Sequence, residues 1–236
     1  MKQIFLEPVI AMFSAARLLV KSRRALALIL GAYAGLLTVV YLFVSTREAT
    51  IPQLILTLAV VIAAPVLFFV LQAISVSYTN GPVSKQILRT CLKVTVVTVP
   101  VIGLTALGVY GLSKVGSWIL IATALRYLLI GVIAPLLAIQ LWIAASNSDR
   151  FFSNFRKIAM KAFGPQSVVV YVCGFLIFAV APYLLITQKI PTERAWFEFA
   201  LLTLRLSVSA LLVLLGWVTT VGTISILSRG NYSSEK

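Results

Sequence analysis

From Ile51 to Val76 the chain reads IPQLILTLAVVIAAPVLFFVLQAISV, 26 residues without one Asp, Glu, Lys or Arg. A helix crosses about 30 Å of hydrocarbon with roughly 20 apolar residues, so this stretch can span a bilayer with some tilt. Five further apolar stretches surround it: residues 25–44 before it, and 94–112, 115–145, 167–187 and 197–227 after it. The composition agrees, at 61% hydrophobic and 11% charged, where a soluble domain carries about 25% charged residues. The expected fold class is all-α: a polytopic membrane helix bundle with six transmembrane helices.

The connections are short, so the Lys/Arg bias should orient the spans. Fourteen basic residues fall on one side: Lys2, Arg17, Lys21, Arg23, Arg24, Lys85, Arg89, Lys93, Arg150, Arg156, Lys157, Lys161, Arg229 and Lys236. The other side has only Arg47, Lys114, Lys189 and Arg194. The richer side is assigned to the cytoplasm, with both N and C termini there and residues 228–236 as a short cytoplasmic tail. A misplaced span would break this alternation. The net charge of +14 is thus mostly an orientation signal and not a nucleic-acid footprint. The first apolar run ends at Ser45-Thr46-Arg47 without a small-x-small cleavage site, so it is expected to stay as an anchor. The plasma (inner) membrane is the expected location.

Two cationic amphipathic segments lie on the cytoplasmic side. In residues 1–24, helical projection puts Val9, Met12, Phe13, Ala16, Leu19 and Val20 on one face, opposite Ser14, Arg17 and Lys21. Pro8 suits a first helical turn. In residues 149–163, Phe151, Phe152, Phe155, Ile158, Ala159 and Phe163 oppose Arg150, Lys157 and Lys161, with Asp149 as a cap and Gly164-Pro165 as a stop. Both are expected to lie in the interface, cations toward anionic headgroups. Arg17, Lys21, Arg150, Lys157 and Lys161 are the candidate headgroup contacts. The plain reading is anchorage; the sharper one makes 149–163 a dock for a cytoplasmic partner.

With no histidine and only Cys91 and Cys173, haem, zinc and cluster ligation lose their usual residues. No metal or cofactor is expected. All six carboxylates (Glu7, Glu48, Asp149, Glu193, Glu198 and Glu235) lie outside the spans or at their edges, which argues against proton-coupled transport. Two arginines do fall within spans, Arg126 in the fourth and Arg205 in the sixth. Their Cα positions come out roughly 13 to 17 Å deep at 1.5 Å per residue. An arginine there costs about 2.5 to 3.5 kcal/mol on insertion scales, so each needs an acceptor. The candidates are carbonyls freed by a proline kink, a lipid phosphate, an anionic substrate, or a carboxylate on another subunit.

Pro65, Pro100, Pro135 and Pro182 interrupt four spans, three of them as Ala-Pro: Ala64-Pro65, Ala134-Pro135 and Ala181-Pro182. Each should bend its helix. Gly103, Gly108, Gly111, Gly216 and Gly222 mark candidate close approaches of helices. Gln72, Gln140, Thr95, Thr98, Thr203, Ser207 and Ser209 are candidate interhelical hydrogen-bonding residues. Trp118, Trp142 and Trp196 are expected at the membrane interfaces. A short echo pairs Thr46-Arg47-Glu48-Ala49 with Thr192-Glu193-Arg194-Ala195, and Leu125-Arg126 with Leu204-Arg205, as three related hairpins would.

An enzyme has the least support, since no nucleophile and base stand at a defined spacing. Two other classes remain. One is an accessory, scaffold or assembly subunit of a larger membrane complex, in contact with membrane lipids and other membrane subunits. The alternative is a permease subunit for a lipid-like or anionic substrate, coupled to a separate cytoplasmic ATPase. An amphipathic entry helix, six spans and both termini inside is similar in layout to permease subunits of ATP-driven exporters, although no motif carries that likeness.

Overall fold

The computed structural model describes residues 2–46, 50–80, 87–114, 119–147, 155–188 and 195–233. Every regular element among them is helical, and six helices or helix pairs are long and apolar enough to cross a membrane. Their edges differ from the hydropathy reading for a physical reason. The third span begins at Ile87 rather than at residue 94, because Arg89 and Lys93 are good helix formers that lower hydropathy without ending a helix. Trp118, Arg150 and the phenylalanines at 151 and 152 lie outside the described residues.

The chain divides into two compact units. In the unit Leu18–Phe163, helix α2 (Arg23–Ser45) packs on α3 (Ile51–Ser77), α3 on α4 (Ile87–Ser113), and α4 on a broken span made of α5 (Ile119–Leu128) and α6 (Ala134–Asn147). The short helix α7 (Phe155–Ala162) packs on α6. Close approach of α2 to α3 uses Gly35, where a Cβ would lie 3.3 Å from Leu67 Cδ1. Ala25, Ile29 and Ala32 form the buried stripe of α2. Deeper in this unit, Trp142 is 2% exposed and its indole N–H donates to Thr98 Oγ1 at 2.7 Å. Thr98 passes the bond on to Val94 O at 2.6 Å. Trp142 is therefore a buried interhelical link, where an interface anchor was expected; a tryptophan is free to leave the interface once its N–H finds a partner.

The other unit joins Met1–Arg17 to Gly164–Lys236. Gly164 is extended and Pro165 opens α8 (Pro165–Phe175), as a helix start allows. Helix α9 (Ala181–Thr187) completes that span, and α10 (Ala195–Ser233) runs back against both. Helix α1 (Lys2–Lys21), of which only the part up to Arg17 belongs to this unit, buries Pro8, Ala11, Ala15 and, beyond that boundary, Leu19, while Val9, Phe13 and Val20 from the expected apolar face are exposed. Gln166 of α8 donates through Nε2 to Glu7 Oε2 of α1 at 2.7 Å, which sets a carboxylate near the N-terminal end of α8, where the helix dipole favours it.

Both broken spans are interrupted in the same way. Between α5 and α6, residues Leu129–Ile133 form a π-helical turn, closed by Ala134 N–H donating to Leu129 O. Between α8 and α9, Leu176–Val180 do the same, closed by Ala181 N–H to Leu176 O. Each turn runs directly into Ala-Pro. Proline has no N–H to give and its ring strikes the carbonyl four residues back; a wider turn just before it relieves that clash. Pro65 differs, since α3 stays α-helical through it.

Candidate functional site

The two intramembrane arginines are placed by helices α5 and α10. Side chains lean toward the N-terminal end of their own helix, so both guanidiniums reach back toward the hairpin that precedes them. Arg126 Nη2 donates to Leu112 O at 2.9 Å, one of the last carbonyls of α4. Arg205 Nη1 donates to Gln188 O at 2.6 Å, the residue that ends α9. The last four carbonyls of a helix have no partner within it, and a cation there also meets the favourable end of the dipole. Each arginine thus closes its own hairpin. The carbonyls belong to helix ends, not to proline kinks, and both charges are carried toward the ends of their spans, as snorkelling arginines do.

Neither guanidinium is used up. Arg126 Nε and Arg205 Nη2 are buried without a hydrogen-bond partner. Arginine to methionine at either position should cost roughly 1.5 to 3 kcal/mol, the range for a hydrogen bond from a charged group. Thermal melting of the purified protein reads this out, with lysine, which keeps the charge, restoring part of the loss. An unchanged melting curve in both methionine variants would count against the capping role.

At the α4–α5 hairpin a second cation follows two residues after Leu112, whose carbonyl Arg126 caps: Lys114, exposed, with Nζ 5.1 Å from the centre of the Tyr110 ring. Farther along the same pair of helices lies a cleft of about 190 Å³, walled on one side by Val97, Pro100, Val101, Leu104 and Thr105 and on the other by Leu129, Ile133, Ala134, Leu137 and Leu141. Its one hydroxyl, on Thr105, is spent on Val101 O at 2.7 Å. The cleft is therefore purely apolar. Pro100 lines one wall and Leu129 and Ile133 of the π-turn line the other. At its upper edge Gly108 receives Leu129, whose Cδ2 lies 2.9 Å from where a Cβ would sit.

No protein-family model, curated protein or solved structure matches this chain. The functional reading rests on its own residues.

Of the other candidates, Arg17, Lys21 and Lys157 are exposed; Lys161 is half-buried and engaged. Thr95, Thr203 and Ser207 bond back within their own helices, the usual behaviour of helical hydroxyls. Ser209 reaches across to Pro182 O at 3.4 Å. Gln72 and Gln140 are buried and engaged. Gly103 and Gly111 face open space, so they make no close helix approach. Tyr78, just past α3, is held neutral: burial pushes its phenol well above the usual value. The residues missed from sequence are Lys114, Gly174 and the cleft walls. A longer signal was present: Leu129–Leu137 and Leu176–Leu184 share Leu-Ile-x-x-Ile/Val-Ala-Pro-x-Leu, and both carry the π-turn.

Proposed function

We propose that this chain is a non-enzymatic accessory, scaffold or assembly subunit of a larger membrane complex, working through lipid-facing and partner-facing surfaces. The observation that carries this reading is where the two intramembrane cations end. Both guanidiniums close helix hairpins, and the cleft beside one of them offers no free polar group. A path for an anion needs donors along it; here each guanidinium is anchored at a hairpin end and the cleft walls carry no charged residue. Contact surface, in contrast, is abundant. On α3, Ile51, Leu54, Ile55, Leu58, Val61 and Ile62 are 50 to 76% exposed and recur at helical spacing, a continuous stripe along one face. The exposed Val9, Phe13 and Val20 of α1 suit a helix lying in the interface, with both termini cytoplasmic.

A permease subunit is the second reading, favoured by the two π-turns, since such turns recur at functional sites. A photo-crosslinking residue at Leu58 separates the two. The accessory reading expects one discrete membrane chain crosslinked in fixed ratio; the permease reading expects that face to crosslink lipid alone, with a nucleotide-hydrolysing chain captured from 155–163 instead.

A further inference from the structure

The seam between α4 and α5–α6 is built like an amphiphile. At its hairpin end stand two cations, Lys114 and Arg126, and among the described residues no carboxylate reaches Arg126. Tyr110 and Tyr127 flank them, 62% and 75% exposed, amphipathic rings of the kind that settle at headgroup level. From Leu112, where the guanidinium ends, to Thr105, where the cleft begins, is seven residues, about 10 Å along the helix. From Thr105 to Val97 the apolar cleft continues for about another 12 Å. Its wall residue Leu104 is 69% exposed, so the cleft opens on the flank of the helix pair and a chain can enter from the side.

We propose that this seam binds one anionic phospholipid, with its phosphate on Arg126 and Lys114 and an acyl chain in the cleft between Pro100 and the π-turn. The proposal deepens the contact-surface reading and rests on it for the orientation of the seam toward the bilayer. Charge complementarity selects the occupant. The guanidinium has five N–H donors and only one is taken by Leu112 O, so it can cap the helix and hold a phosphate oxygen together. A zwitterionic lipid would bring its own ammonium against Lys114. The cleft, lacking any free polar atom, selects a hydrocarbon tail over a soluble anion.

The test uses the full chain in detergent, titrated with phosphatidylglycerol, phosphatidylcholine or tail-less glycerol phosphate, and bound lipid counted by native mass spectrometry. Phosphatidylglycerol should bind more tightly than phosphatidylcholine. Arg126→Gln and, separately, Lys114→Gln should each weaken phosphatidylglycerol about fivefold, the worth of one basic residue near a lipid surface. Val101→Trp, which fills the cleft, should weaken both lipids and leave the difference between them. Lys114 closes the end of α4 only through its backbone N–H, to Gly111 O, which Lys114→Gln keeps, so its variant stays informative if the arginine variant misfolds. Equal binding of the two lipids, an unaffected Val101→Trp, or full competition by glycerol phosphate would overturn the site. A partner helix in the cleft would show as lipid binding absent from the complex and present in the isolated chain, and would overturn it too. Subunit stoichiometry is measured separately, so failure here leaves the assembly reading standing, and the reverse.

Discussion

Deleting Ile130 should leave the fourth span folded, whereas deleting Ala138 should destroy it. Ile130 lies in the π-turn Leu129–Ile133 and is 53% exposed. That turn holds one residue more than an α-helical turn, because its closing bond runs from Ala134 N–H to Leu129 O, five residues back. Removing one residue restores four-residue bonding and leaves both flanking helices facing their present neighbours. The cost is Pro135, which then sits in a helix interior, a penalty of about 3 kcal/mol. Adding Pro135→Ala should recover most of it. Ala138 stands instead in a stretch where Leu136 and residues 138 to 143 are all buried. Losing a residue there turns everything after it by about 100°, the angle of one residue in a 3.6-residue turn, and takes Trp142 away from Thr98. Yield and melting of the two deletions, with and without Pro135→Ala, read the contrast. Equal tolerance of both deletions would mean that the π-turn stores no extra residue.

The second large effect concerns Gly174. An added Cβ there would lie 2.8 Å from Thr220 Cγ2 and 2.9 Å from Thr220 Cβ. Thr220 cannot give way, being fully buried and tied to Gly216 O at 2.6 Å. Gly216 meets the facing helix in turn: its own Cβ would come within 2.9 Å of Phe178 Cβ and 3.2 Å of Phe178 Cα. The two contacts interlock α8 and α10 in antiparallel register, one glycine from each helix. Phe178 lies in the second π-turn, and its ring packs edge-on against Trp217 at 5.3 Å and against Phe175 at 5.7 Å. Gly174→Ala should cost about 1 to 3 kcal/mol, the range for overpacking a filled core, and Gly174→Leu should prevent the two helices from pairing. The same alanine in a Thr220→Gly background should cost far less, which a double-mutant cycle measures. Independent, additive effects of the two changes would contradict the interlock.

These elements show what hydropathy carries and what it does not. The six spans were legible because a window of apolar residues measures the thickness of the slab a helix must cross. The early start of α4 was not, since Arg89 and Lys93 leave the slab without leaving the helix. Arg126 and Arg205 stood out as charges in an apolar run, yet their acceptors did not: a carbonyl fourteen or seventeen residues upstream is backbone and has no signature. The prolines were visible and the π-turns were not, although the shared nine-residue pattern around Ala-Pro marked the two places. Gly174 sits in no four-residue small motif of its own helix; its partner spacing, Gly216 and Thr220, lies on α10. In α1 the apolar projection found large side chains, whereas burial went to Ala11 and Ala15, because small residues let backbones come together.

The most direct test of the proposed role is the mass of the particle that this chain forms when taken from its own membrane with a mild detergent or a lipid-encircling polymer. The expected result is a particle holding this 25.7 kDa chain together with at least one different membrane chain in fixed ratio, unchanged by Val101→Trp. A particle containing only this chain and lipid, stable across detergents and detergent-to-lipid ratios, would contradict it.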